Sequence, residues 1–314
     1  MSQKKIRQQF ADTMLEVGQN DPDLVVLIGD ISHFILQPFA NACPGRFYNI
    51  GICEPTIVSM AAGLARVGFC PVVHTIAPFI IERSFEQIKL DFCYQNLPGN
   101  LITVGSAFDY SNLGCTHHCY DDFALLKSLP NTQIIYPASS AEFDILFRQT
   151  YKNESLTLFR IPENQHEYPI DPSAIQFGKA IKIEEGKDIT IISTGPQLGN
   201  AVKARGRLLI DGWDTELIYV HTVYPLDMPL IRQSAEKTRK VLVVEEHNRF
   251  GGMGHDVLQG IYDIRGLQFA SLAIDSFVHE YGSYEELCSG LELSVDGIMR
   301  AVKNNFKKNP EENL

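Results

Sequence analysis

The sequence predicts an α/β protein made of two doubly wound domains. Short apolar runs recur along the chain as unbroken stretches rather than alternating patterns, as parallel strands buried on both faces require. Segments with helical spacing separate these runs, so strand and helix alternate. A polar, proline-rich stretch, Pro162-Glu163-Asn164-Gln165-His166-Glu167-Tyr168-Pro169-Ile170-Asp171-Pro172, breaks the alternation at mid-chain, because prolines remove backbone donors. The division is a first domain over 1–165, a linker over 166–180 and a second domain over 181–314.

In the first domain, Lys4 opens an amphipathic helix over 4–18. Strands follow at 24–28, 47–50, 72–76, 101–105, 133–136 and 157–161, each rich in Val, Ile, Leu or Phe. Between them fall helices at 54–67, where Pro55 suits a first turn, and at 80–94 and 141–152. The second domain repeats the alternation. Its strands lie at 189–193, 216–220, 241–245 and 269–274, and its helices at 198–211, 228–238, 252–263 and 294–305. The charged tail over 307–314 is expected to fray.

A chain of 314 residues is long enough for two cores, and its 45% hydrophobic and 21% charged content is that of a globular protein. A net charge of −11 argues against nucleic-acid or anionic-membrane partners. No apolar run approaches membrane-spanning length, and Met1-Ser2-Gln3-Lys4-Lys5 leads into an amphipathic segment rather than a signal core. Seven cysteines without regular spacing suit reduced thiols, and the expected compartment is the cytoplasm.

Several residues offer chemistry. Arg46-Phe47-Tyr48-Asn49-Ile50-Gly51-Ile52-Cys53-Glu54-Pro55 sets one acid, Glu54, between a strand and an apolar, small-residue helix. A desolvated carboxylate there needs a partner. The plainer reading is an acid favoured at a helix N-terminus. Thr75-Ile76-Ala77-Pro78-Phe79-Ile80-Ile81-Glu82-Arg83-Ser84-Phe85-Glu86-Gln87 follows a strand and offers Phe79 either as a flat stacking surface or as core packing. Asp30 ends the first strand, where open α/β sheets bind ligands, or serves as a turn residue. His117, in Gly114-Cys115-Thr116-His117-His118, is suited to proton transfer near neutral pH or to a structural role. Arg160, in Leu158-Phe159-Arg160-Ile161-Pro162, offers a fork for phosphate oxygens or a structural ion pair. In Cys115-Thr116-His117-His118-Cys119 the adjacent His side chains diverge and no second ligand pair follows, so no metal ligand is assigned.

Together these motifs resemble the transketolase family, which uses thiamine diphosphate. The stretch 46–54 is similar to the family's RF-x-N-x-G-I-x-E signature, and the resemblance covers a pyrimidine-binding domain followed by a transketolase C-terminal-like domain. It implies that Glu54 engages N1′ of the cofactor's aminopyrimidine and favours the imino tautomer that takes the C2 proton. For that the acid must stay partly protonated, so burial must outweigh the helix N-terminus. It implies that Phe79 stacks on the aminopyrimidine, with Ile76 at a position that is often aromatic, and that Asp30 offsets the thiazolium charge. By the same match His117, in a loop like the family's G-P-T-H-Q, is catalytic and faces the donor carbonyl, and Arg160 grips substrate phosphate. Val243-Val244-Glu245-Glu246-His247-Asn248-Arg249-Phe250-Gly251-Gly252-Met253-Gly254 resembles the family's C-terminal domain, and its Gly-rich turn is assigned to packing rather than to a nucleotide.

Departures from the family pattern bear on substrate. Leu113 stands where the family commonly has Asp, Gly105 where an upstream His is expected, and Phe34 near an expected phosphate-binding Ser. The implied substrate is therefore non-standard, either less hydroxylated or not phosphorylated in the usual place. The sequence contains no Gly-Asp-Gly turn of the kind that holds diphosphate and Mg²⁺ in this family. The expectation is a split transketolase, transferring a two-carbon ketol unit, whose partner chain carries those ligands. The expected assembly is a heterotetramer, and this chain alone is expected to dimerise. The alternatives are the beta subunit of a 2-oxo acid dehydrogenase, a deoxyxylulose-phosphate synthase, and a non-catalytic partner that kept the fold.

Overall fold

In the computed structural model, which describes residues 4–308, two sheets of mainly parallel strands form two lobes. Most of the tail expected to fray, 309–314, lies outside the described residues. The first half of the chain runs α1 (Ile6–Asn20), β1 (Leu24–Ile28), α2 (Gln37–Ala42), β2 (Phe47–Asn49), α3 (Glu54–Arg66), β3 (Cys70–Ile76), α4 (Ala77–Ile81), α5 (Phe85–Gln87) and a π-helix (Ile88–Cys93). It continues through β4 (Gly99–Val104), α6 (Asp122–Lys127), β5 (Thr132–Ile135), α7 (Ser140–Thr150) and β6 (Leu156–Ile161). After an irregular stretch with one 3-10 turn (Pro172–Ala174) come β7 (Ile181–Glu184), β8 (Ile189–Thr194), α8 (Gln197–Ile210), β9 (Thr215–Val220) and β10 (Thr222–Tyr224). The chain ends with α9 (Met228–Thr238), β11 (Lys240–Asn248), α10 (Met253–Ile261), β12 (Gln268–Ile274), α11 (Tyr284–Gly290) and α12 (Val295–Asn305).

The first sheet is ordered β10-β5-β6-β4-β3-β1-β2 and the second β12-β11-β8-β9-β7. From β1 the chain steps outward to β2, then reverses past β1 to β3 and β4. Such a reversal opens a crevice beyond the strands' C-terminal ends. Asp30, Glu54 and Ile76 all lie at or just beyond those ends. The unbroken apolar runs explain the depth of burial: every residue of β1, β4, β6, β8 and β9 is buried.

One expected helix is not continuous. The segment 80–94 breaks into α4, a turn, α5 and the π-helix. Its hydrogen bonds slip to the wider π spacing, with Arg83 N donating to Pro78 O at 3.1 Å and Tyr94 N to Lys89 O at 2.8 Å. The widened turn sets Phe79 and Arg83 beside each other. The sequence pattern also gives no sign of α2, α6, α11, β7 and β10, all short. The last of these matters most. Residues Thr222 and Tyr224 pair antiparallel with Ile135 and Ile134, so the second half of the chain supplies an edge strand to the first sheet.

The linker is held from both sides. His166 Nε2 lies 2.6 Å from Glu142 Oε1, and Tyr219 Oη, from β9, donates to Glu142 Oε2 at 2.7 Å. Burial pushes the Glu142 carboxyl up, but the His166 hydrogen bond and charge hold it below the usual carboxylate range. Among the described residues no helix is long and apolar enough to cross a membrane.

Candidate functional site

The site begins with β1 and β2 in register, Ile28 beside Asn49. That pairing lets the Asn49 side chain reach across. Its Oδ1 accepts from Asp30 N and from Gly51 N, each at 3.1 Å, and its Nδ2 donates to Asp30 Oδ1 at 3.0 Å. Asp30 is held at φ 58°, an uncommon conformation for a non-glycine residue, and Gly51 at φ 83°. One amide side chain thus fixes both loops. Asp30 is exposed, and its side chain bonds to Asn49.

Beyond Gly51 the chain enters α3 at Glu54, its first helical residue, with Pro at the next position. Glu54 is 1% exposed. Its Oε2 accepts from Arg83 Nη1 at 2.7 Å, while Oε1 is buried without a hydrogen-bond partner. A buried acceptor left unmatched is costly and in native proteins has a reason. The Arg83 guanidinium also lies 4.3 Å from the centroid of the Phe79 ring. The His117 ring meets Phe79 edge-on at 5.2 Å, and the Tyr110 ring lies 6.1 Å from His117. His117 Nδ1 is 2.9 Å from Thr116 Oγ1. Ile76 caps α4 just ahead of Phe79 and is half-buried. Glu54, Arg83, Phe79, His117 and Tyr110 therefore form one continuous cluster, built from the end of the β2 loop, the widened turn after β3, and the loop after β4.

Two features of this cluster suit a flat, nitrogen-bearing heterocycle. The unmatched Oε1 asks for a donor, and Phe79 offers an aromatic face beside it. The residues thus fit an aminopyrimidine ring. The described residues contain no group of three side chains able to hold a metal ion.

Arg160 makes the structural ion pair that the sequence offered as the alternative to a phosphate grip. It is fully buried in β6, with Nε 3.1 Å from Asp122 Oδ2. Nη2 donates to Cys119 O and to Glu246 O, both at 3.0 Å. The rings of Phe123 and Tyr136 flank it, each 4.6 Å from the guanidinium carbon. Carbonyls, a carboxylate and two rings surround it and tie the lobes together, while its Nη1 is buried without a hydrogen-bond partner. Burial pushes Asp122 up to about 6 against the pull of Arg160. Nearby Glu246 is pushed to about 7 by burial. It accepts from Gln197 Nε2 at 2.8 Å and Tyr136 Oη at 3.2 Å, and closely from Tyr284 Oη.

Sequence reasoning left Asn49, Arg83 and Tyr110 without roles, although Asn49 and Arg83 stand inside the motifs it singled out. Gly105 gave an indirect signal for Tyr110. At φ 74° a Cβ there would meet the Tyr110 ring at 2.4 Å, so the glycine makes room for that ring.

Comparison with known proteins agrees with this geometry. Residues 2–167 match the transketolase pyrimidine-binding domain, and residues 178–298 match the transketolase C-terminal domain. The chain is 31% identical to one subunit of the apulose-4-phosphate transketolase of Phocaeicola vulgatus, over 96% of this chain and 97% of that one. It is also 31% identical to 1-deoxy-D-xylulose-5-phosphate synthase of Halothermothrix orenii, over 94% of this chain but only 47% of that longer protein. Among solved structures, a split-gene transketolase described as an inactive beta4 tetramer superposes with a TM-score of 0.87 at 27% identity, over 97% of this chain and 98% of that one. The chain belongs to the transketolase family of thiamine-diphosphate enzymes, as a split-type transferase subunit made of the pyrimidine-binding and C-terminal domains.

Proposed function

We propose that this chain supplies the pyrimidine-binding half of a transketolase active site, with Glu54 holding the aminopyrimidine of thiamine diphosphate and His117 moving protons at the substrate. The observation that carries the reading is the buried Glu54 carboxyl with its unmatched Oε1, set beside an aromatic face. When bound, thiamine diphosphate would supply the electron sink for breaking and making carbon–carbon bonds beside a carbonyl. Glu54 holds the proton shared with N1′. Phe79 gives the ring a stacking surface and Ile76 an apolar edge. Asp30, fixed by Asn49, offers a negative charge toward the thiazolium. His117 would give and take a proton at a substrate oxygen; its partial burial and its contact with Thr116 support the reading.

The diphosphate and Mg²⁺ fall to a separate subunit, whose hard oxygen ligands suit that ion. Support comes from the near full-length match to a protein whose own name makes it one subunit of a transketolase. Exposed apolar side chains in the segments around α3 add to it: Ile52 before the helix, and Leu90 and Tyr94 in and after the π-helix. Two copies of each chain would form the cytoplasmic assembly. Leu113 and Gly105 favour a non-standard ketose donor, in line with the unusual sugar in that relative's name.

The test is reconstitution. Each subunit and their mixture are assayed with thiamine diphosphate, Mg²⁺ and a panel of ketose donors. Ketol transfer should appear only on mixing, with poor turnover of ordinary ketose phosphates. Turnover by this chain alone would sink the two-subunit claim, and efficient use of ordinary donors would remove the substrate claim. Decarboxylation of pyruvate by the mixture would point to the dehydrogenase alternative.

A further inference from the structure

We propose that Arg83 is a displaceable latch on the aminopyrimidine seat, which must swing off Glu54 and Phe79 before the cofactor's ring settles; the inference rests on the function proposed above. The guanidinium is a flat group that presents an N–H to a carboxylate and a face to an aromatic ring. Arg83 makes both contacts here, 2.7 Å from Glu54 Oε2 and 4.3 Å from the Phe79 centroid. An aminopyrimidine stacked on the Phe79 face that Arg83 covers displaces the guanidinium, because two planar groups cannot share one face, and it turns its donor to Oε1, which Arg83 leaves unmatched.

The surroundings leave Arg83 as the part able to move. Glu54 starts a 13-residue helix and is 1% exposed, so its carboxyl has little freedom. Phe79 is held in α4, with Ser84 Oγ donating to its carbonyl at 3.3 Å and His117 closing on its edge. The Arg83 side chain, by contrast, is 45% exposed and projects from the turn between α4 and α5. Its backbone is pinned by the bond to Pro78 O, while four methylene and guanidine torsions remain free on the solvent side. The pair it makes is incomplete, since Glu54 Oε1 takes no part in it. An incoming ring that satisfies that oxygen gains a hydrogen bond the latch does not make, and the exchange favours the cofactor.

The experiment uses the assembled complex of this chain with its diphosphate-binding subunit, and thiamine diphosphate with Mg²⁺ as the probe. Affinity is read by calorimetry and association rate by stopped flow, for wild type, Arg83→Ala and Arg83→Gln. Losing the half-exposed guanidinium's ion pair with the buried Glu54 and its cation–π contact should tighten binding about tenfold in Arg83→Ala, with faster association. Arg83→Gln, which keeps a planar amide without charge, should fall between the two. Raising ionic strength should close the gap between wild type and Arg83→Ala, because salt weakens the latch. Equal or weaker binding by Arg83→Ala, in a variant whose melting temperature matches wild type, overturns the latch and makes Arg83 part of the seat. Binding by Arg83→Ala alone supports it. Binding by neither protein overturns the latch together with the proposed function, whereas binding by wild type with no gain in Arg83→Ala overturns the latch only.

Discussion

Replacing Arg160 with methionine separates a structural role from a substrate role. The substitution keeps an unbranched apolar stem between Phe123 and Tyr136 but removes the charge paired with Asp122 and the donors to Cys119 O and Glu246 O. Removing one partner of a buried pair costs about 3–5 kcal/mol, and the two lost hydrogen bonds are already part of that loss. Unfolding entropy of about 2.1 cal/mol/K per residue gives roughly 0.7 kcal/mol/K for a chain of this length, so the melting temperature should fall by about 4–7 °C. The fall should depend on pH. Asp122 already titrates near 6 with Arg160 beside it, and without Arg160 it climbs further. Below about pH 6 the orphaned carboxyl takes a proton and relieves part of the cost, whereas at pH 8 the full penalty appears. Scanning calorimetry across that range checks this, with Asp122→Asn and the double variant closing a thermodynamic cycle. An unchanged melting temperature together with a raised KM for a phosphorylated donor would refute the reasoning and restore Arg160 as a phosphate grip.

Other outcomes follow from the same geometry. The carboxyl of Glu246 is raised from an ordinary 4.5 to about 7, so its contribution to stability is present below pH 4.5 and is lost as pH rises to 7, about 3 kcal/mol in all. Glu246→Gln should therefore flatten the wild-type decline between pH 5 and 8 in denaturant titrations, and an equally steep decline would contradict the assignment. Gly105→Ala adds a Cβ at φ 74° that meets the Tyr110 ring at 2.4 Å, which should cost about 1–3 kcal/mol by urea unfolding. Asn49→Ala frees the Asp30 and Gly51 amides from their shared acceptor, and hydrogen exchange at both should quicken by about tenfold or more with little change in global stability.

How much of this was legible depends on how locally each feature is specified. The strand Leu24–Ile28 and the helix Met228–Thr238 could be read from their own residues, because an unbroken apolar run and a helical apolar stripe need no outside information. The break in 80–94 was hidden because nothing in Ile80-Ile81-Glu82-Arg83-Ser84 forbids a helix, and the slipped hydrogen bonds have no local sequence signal. The strand β10 has three residues and exists only because β5 lies beside it. Glu54, Phe79 and His117 were legible because each stands in a short motif. Their mutual contacts were not, since Arg83 pairs with Glu54 across 29 positions and Asn49 reaches Asp30 across 19. The choice between Arg160's two readings was hidden for the same reason: its surroundings depend on Asp122 and on Glu246, which lies 86 positions away in the other lobe.

The most direct trial of the Glu54 assignment is the rate at which the C2 proton of thiamine diphosphate exchanges with deuterium in the reconstituted complex, followed by NMR. Glu54→Gln keeps the side chain's size and should leave the melting temperature within about 1–2 °C, since the lost partner Arg83 is half-exposed. Exchange should slow by about 10²-fold or more, the usual worth of a positioned acid or base, while the cofactor remains bound. Exchange at the wild-type rate in a Glu54→Gln complex that holds its cofactor would contradict the account.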